Sequence, residues 1–166
     1  MAVAALVSLE EYLHTSYRPD CDYVDGEVRE RNLGEIEHSS TQAEIVFYLR
    51  SRNPAYKRRV LTEQRVQVTI RRFRIPDVCV LAEDAPHENV VRTPPQLCIE
   101  ILSKDDRMSE IMERVDDYFQ IGVPACWIID PVRRIGWVAV PGHLAEAQDG
   151  VLRSGLFEMP LTEVLA

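Results

Sequence analysis

"QLCIEILS", residues 96–103, is an apolar run with one carboxylate, Glu100, in its middle. Taking an unpaired carboxylate out of water costs several kcal/mol, so something must compensate it: an arginine partner, the solvent at a sheet edge, or a bound cation. "RIPDVCVL", residues 74–81, has the same form around Asp77. Side chains alternate along a strand, so Ile75, Asp77, Cys79 and Leu81 share one face, and Cys98, Glu100 and Leu102 share a face of their own strand. The chain between the two acids is long enough to loop back and lay the strands side by side. The carboxylates would then meet, repel, and need a cation between them. Hard oxygen ligands suit Mg2+ or Mn2+. The alternative is structural: Asp77 and Glu100 each paired with an arginine, and no metal.

Working outward, the chain of 166 residues fits one domain over 1–166, able to bury about two-thirds of the surface that it exposes when unfolded. No apolar run approaches the ~20 residues needed to span a bilayer. The start, "MAVAALVSLEEYL", lacks a basic segment and passes straight into an amphipathic pattern, which argues against a leader peptide and for a cytoplasmic location with no membrane partner. Cys21, Cys79, Cys98 and Cys126 are widely spaced without a CxxC pair, as expected of buried free thiols. His14, His38, His87 and His143 form no HExxH, and a zinc site is not expected. A net charge of −8 excludes a binder that holds nucleic acid by bulk charge alone. It leaves room for an enzyme whose acidic site reaches phosphate through a metal. Two basic stretches, "YKRRV" at 56–60 and "IRRFR" at 70–74, could serve such a substrate or be solvated strand ends.

Ser8 with Glu11 is a capping box opening a short helix to about residue 15. Asp25-Gly26 in "CDYVDGEVRER" predicts a hairpin. Residues 38–52 read as a helix, with His38, Gln42, Ile45, Val46 and Leu49 on one face. Strands are expected at about 60–70 and 73–82, then, after "EDAPHENVVRTPP", at the Glu100 segment. Ser103 and Asp106 predict a capping box for a helix running to Gly122, with Met108, Ile111, Met112, Val115, Tyr118 and Phe119 as its apolar stripe. "PACWIID" and "RIGWVAV" are a strand and its hairpin neighbour, and the tail from about 151 adds a short strand and a helical turn. Trp127 reads as core, and Asp130 as the start of a turn at Pro131. The order predicts an α/β or α+β fold with a mixed central sheet flanked by helices.

These residues also carry a resemblance. "PD" at 76–77, "IEILS" at 99–103, "YFQIGVPACWIIDP" at 118–131, "YVDGEV" at 23–28 and His38 together resemble the Uma family, whose members are grouped with restriction endonucleases in the PD-(D/E)XK nuclease superfamily. The likeness covers about residues 8–140. It implies a restriction endonuclease-like core, a divalent cation (Mg2+ or Mn2+), and hydrolysis of DNA phosphodiester bonds by a metal-activated water. Asp77 and Glu100 would be the metal-binding acids and the Ile101 carbonyl a further ligand. The superfamily pattern places a lysine two residues after the glutamate, where this chain has Leu102. Uma proteins often move it to the next helix as K-x-x-x-Y, and here Arg114 stands four residues before Tyr118. Arginine cannot lose a proton at working pH, so Arg114 would orient water and offset charge on the phosphate. Glu27 and His38 are further catalytic candidates. For each a bland role stands beside it, as an exposed strand residue and as a helix-start histidine. The likeness also admits a homodimer, since superfamily members often cut two strands as dimers. The departures at 102 and 114 favour a rival, a weak or inactive nuclease-fold module that binds nucleic acid or a protein partner.

Overall fold

The Asp25-Gly26 turn is the left-handed pair that a tight hairpin requires, with φ of 52° and 104°. This computed structural model describes residues 6–31 and 35–165. The first five residues of the segment read against a leader peptide, and the last residue of the tail, lie outside that range. Helix α1 (Leu9–His14) opens at Ser8, whose hydroxyl accepts from the Glu11 amide at 3.1 Å. The hairpin is β1 (Cys21–Val24) and β2 (Glu27–Glu30). Helix α2 (Ile36–Arg52) follows, and a 3-10 turn (Pro54–Arg58) leads into β3 (Val60–Thr62). Then come β4 (Val66–Thr69), β5 (Arg72–Arg74), β6 (Val78–Val80), β7 (Leu97–Ile101) and α3 (Met108–Ile121). The chain ends with β8 (Cys126–Asp130), β9 (Ile135–Val140), β10 (His143–Glu146), β11 (Val151–Ser154), β12 (Phe157–Pro160) and a 3-10 turn (Leu161–Glu163).

Two sheets carry the fold. The larger has the order β10-β9-β8-β7-β6-β3 and is mixed, since β7 and β8 are parallel and every other pair in it is antiparallel. The smaller, β2-β1-β5-β4, is antiparallel throughout. The fold is α+β, as the order of elements predicts. The long strands expected at 60–70 and 73–82 do not form as such. Each divides between the sheets: β3 and β6 join the larger, β4 and β5 the smaller. Glu63, at φ 50°, turns the chain between β3 and β4, and Pro76, which has no amide to donate, separates β5 from β6.

Helix α2 covers one face of the larger sheet, where Ile45 and Leu49 pack with Val78, Val80, Ile99, Ile101, Trp127 and Ile129. On the opposite face Ile111, Val115 and Tyr118 of α3 lie over Cys79, Cys98, Cys126 and Ile128. Each large aliphatic side chain sealed there contributes roughly 1.5–3 kcal/mol. Val66 and Val68 of β4 join this second cluster, so α3 sits between the two sheets. Tyr12 of α1 packs with Tyr23 and Phe73 beyond the smaller sheet. The four cysteines are free and buried. No helix among the described residues is long and apolar enough to cross a membrane.

The expected capping box of α3 is a different structure. Asp106 accepts from the Ser103 amide at 2.7 Å and returns its own amide to the Ser103 carbonyl at 3.1 Å, which closes a turn before the helix. The helix starts only after Arg107 and ends at Gly122, whose φ of 101° suits its αL cap.

Candidate active site

Strands β6 and β7 are antiparallel neighbours, with Val78 opposite Ile99 and Cys79 opposite Cys98. One step further along this register, Asp77 comes beside Glu100 and Ile101. Both carboxylates are almost wholly removed from solvent, Asp77 at 2% and Glu100 at 0%. Beneath them the thiols of Cys79, Cys98 and Cys126 run across three strands, an apolar floor whose pKa values burial pushes up.

Asp77 takes five partners. Its Oδ2 accepts the Ile101 amide at 2.7 Å and lies 3.4 Å from His38 Nε2, while Oδ1 accepts a short bond from the Arg31 guanidinium. Its backbone carbonyl accepts from Gln42 Nε2 at 2.9 Å and from the Glu63 amide at 3.2 Å. Glu100 is held from α3: Tyr118 donates to Oε1 at 2.5 Å and Arg114 Nη1 to Oε2 at 3.1 Å. Arg31 Nη2 is 4.0 Å from the same Oε2, so one guanidinium touches both acids. Its Nε is buried with no hydrogen-bond partner among the described residues. Arg31 supplies a positive charge that the two neighbouring carboxylates share.

The two acids diverge electrostatically. Burial alone would raise Asp77, but the Arg31 charge, reinforced by His38, outweighs it and holds the carboxyl below its ordinary range. Burial raises Glu100; the Arg114 charge opposes it, Asp77 adds to it, and the net shift is upward. For His38 burial favours the neutral ring, yet the hydrogen bond and charge of Asp77 outweigh it and the pKa rises. One acid pushed toward its charged form beside one pushed toward its protonated form is a usual signature of a working carboxylate pair.

The network continues past α3. Arg114 Nε reaches Asp22 at 3.4 Å, and Asp22 accepts from Arg74 at 3.0 Å. Arg74 then meets Asp117 at 2.7 Å and Glu113 at 2.9 Å, and Arg72 meets Asp117 at 3.0 Å. Part of the basic "IRRFR" stretch is thereby committed inside the protein, where Arg74 is buried, and is not a free surface patch.

The structure thus brings Asp77, Glu100, His38, Arg114 and the Ile101 backbone to one place, the last through its amide. Glu27 does not join them. It is exposed on β2 and its carboxylate engages Arg29 at 3.3 Å. Sequence reasoning missed Asp22, Arg31 and the role of Tyr118 toward Glu100. The signal for Asp22 was present, because "CDYV" is one more acid inside an apolar strand. Nothing in the local pattern marks Arg31.

The donor chemistry fits a hard divalent cation with a condition. Asp77 and Glu100 offer oxygen ligands, and no third His, Cys, Asp or Glu among the described residues completes a cluster with them. Mg2+ tolerates so sparse a set, because it keeps several of its waters. Arg31 would have to withdraw to admit it.

The family model described as "Putative restriction endonuclease" (Uma2) matches residues 9–152. Among solved structures, "a putative nuclease belonging to DUF820 from Anabaena variabilis ATCC 29413" superposes with a TM-score of 0.80 at 19% identity, over 95% of this chain and 97% of that one. At that identity the likeness speaks for the fold. No curated protein matches the chain. With the family model spanning the carboxylate strands, both helices that reach them and the N-terminal hairpin, the chain belongs to the Uma2 family.

Proposed function

We propose that this protein is a metal-dependent endonuclease that hydrolyses phosphodiester bonds in DNA, with Asp77 and Glu100 holding Mg2+ or Mn2+. Family membership supports a nuclease-like role. The observation that carries the finer reading is the buried acid pair on adjacent strands sharing a positive charge. A divalent cation bound there supplies a lowered water pKa and neutralises charge on phosphate oxygens. The chain's own groups do the rest. Tyr118 and Arg114 fix the Glu100 carboxylate from α3, and the Ile101 amide and His38 fix Asp77. Arg114 remains protonated at any working pH, so it supplies charge and hydrogen bonds to a phosphate and takes no proton.

A second reading, a nuclease-fold module that binds without cutting, draws on two observations. Arg31 stands where a cation is needed, and Leu102 stands where the superfamily has lysine. Supercoiled plasmid with Mn2+, against a chelated control, separates the readings. Wild type is expected to nick or linearise the plasmid, and Glu100→Gln to lose cleavage by a factor of roughly a hundred or more; Arg114→Ala should lose about as much and Arg114→Lys should keep most of it. Equal residual cleavage by wild type and Glu100→Gln would hand the protein to the second reading.

A further inference from the structure

Residues 50–59, "RSRNPAYKRR", carry five basic side chains and no acid, in a chain whose net charge is −8. Unlike Arg72 and Arg74, none of the five forms a salt bridge among the described residues. Two of them, Arg50 and Lys57, line a groove of about 710 Å³ along α2, together with Gln42, Val46, Phe47 and Pro54. No carboxylate among the described residues lines it. Phe47 leaves 70% of its surface exposed there, although a helix that packs on a sheet has an inner face for such a ring. The groove also lies beside the candidate site: Gln42, on its wall, donates to the Asp77 carbonyl at 2.9 Å, and Thr62, also on its wall, pairs with Val78 next to Asp77.

Uncompensated positive charge calls for an anionic occupant, and an apolar wall with an exposed ring calls for a flat face to stack on it. A duplex offers phosphates outward and keeps its base faces covered, so it would leave Val46, Phe47 and Pro54 unused. An unpaired strand offers both features in alternation. We propose that this groove holds a single-stranded flank of the DNA substrate leaving the Asp77–Glu100 site, with one base stacked on Phe47 and phosphates at Arg50 and Lys57. The inference rests on the nuclease reading for the identity of the strand. From Ser39 to Ser51 the helix runs about 18 Å, room for roughly three nucleotides of stacked strand.

The test uses the full chain in chelating buffer, so that neither metal nor cleavage enters. A fluorescein-labelled oligonucleotide of about twelve nucleotides is titrated by anisotropy, as a single strand and as a blunt duplex. The single strand should bind more tightly than the duplex. Phe47→Ala should weaken it about tenfold and leave the duplex unchanged. Lys57→Gln should reduce the slope of log K against log salt by about 0.7, one phosphate contact. The proposal is overturned if duplex binds as well as single strand, if Phe47→Ala changes neither, or if a poly-glutamate peptide displaces the strand at lower concentration than unlabelled DNA, which would mark a protein surface. A chain that cuts nothing but shows the Phe47 effect would keep the groove and lose the nuclease reading. One that cuts through Glu100 without the Phe47 effect would do the reverse.

Discussion

Arg31 supplies the positive charge that the acid pair shares. Its guanidinium touches Asp77 and Glu100 together, and those two charges raise its own pKa against the opposing effect of burial. A divalent cation must compete with it for the same oxygens. Arg31→Met keeps the apolar stem and removes the competitor. The Mn2+ concentration that gives half of the metal-induced rise in melting temperature should then fall by on the order of tenfold. Asp77→Asn should abolish that rise. In chelator it should also melt below wild type, because it strips Arg31 and His38 of their partner. A variant Arg31→Met that responds to Mn2+ as wild type does would mean that Arg31 leaves the site at no cost, or that no ion enters.

At the scale of elements, α3 holds the two sheets at a fixed separation through ions as well as apolar contacts. Arg74, buried on β5, binds Asp22 on β1 and Asp117 and Glu113 on α3. Removing one partner from a buried ion cluster leaves an uncompensated charge, typically at about 3–5 kcal/mol. Arg74→Met should cost about that much in urea unfolding, and adding Asp22→Asn with Asp117→Asn should recover part of it. Full stability in Arg74→Met alone would show that the junction is held by Val66 and Val68 instead. These elements also mark what the sequence could reveal. Turn residues, capping residues, helical spacing and alternation placed the hairpin, α1, α2 and the Glu100 strand, because each is a local pattern, whereas the Asp77–Glu100 meeting followed only if their two strands were neighbours, as β6 and β7 are. The division of 60–70 and 73–82 between two sheets was hidden, since continuous Val, Ile and Thr look alike in either sheet. The Ser103–Asp106 pair misled because its side-chain bond is that of a cap while its backbone makes a separate turn. Asp117 and Arg31 were invisible for another reason: a charged residue on a helix or after a strand reads as solvated until its distant partner is known.

For the whole molecule, the divided ionisation of the site should appear as a pH dependence of stability. A carboxyl whose pKa is raised by folding, as at Glu100, holds its proton more tightly in the folded chain. Its contribution is present at low pH and is lost as pH climbs from the ordinary carboxylate range through the raised value. His38, raised as well, has the same sign: its contribution is full below the ordinary histidine value and lost above the raised one. Asp77, lowered, contributes above the ordinary range and loses that only in strong acid, so it stays constant over this interval. Unfolding free energies in chelator at about pH 5 and about pH 8 should therefore fall less in Glu100→Gln than in wild type. An equal fall in both would mean that the folded and unfolded chains release the Glu100 proton at the same pH.

The chain of ions running from the site to the smaller sheet has a consequence for how ligands assemble. Four buried carboxylates, Asp22, Asp77, Glu100 and Asp117, face four guanidiniums, Arg31, Arg72, Arg74 and Arg114, with the partly exposed Asp25 and Glu113 at the edge. A dication arriving alone adds two charges that no further buried carboxylate is there to offset. A phosphodiester brings a negative charge with it. Each ligand then improves the binding of the other by the same factor, as linkage requires. Metal and DNA should load together, and a metal titration without DNA would understate the affinity of the working complex.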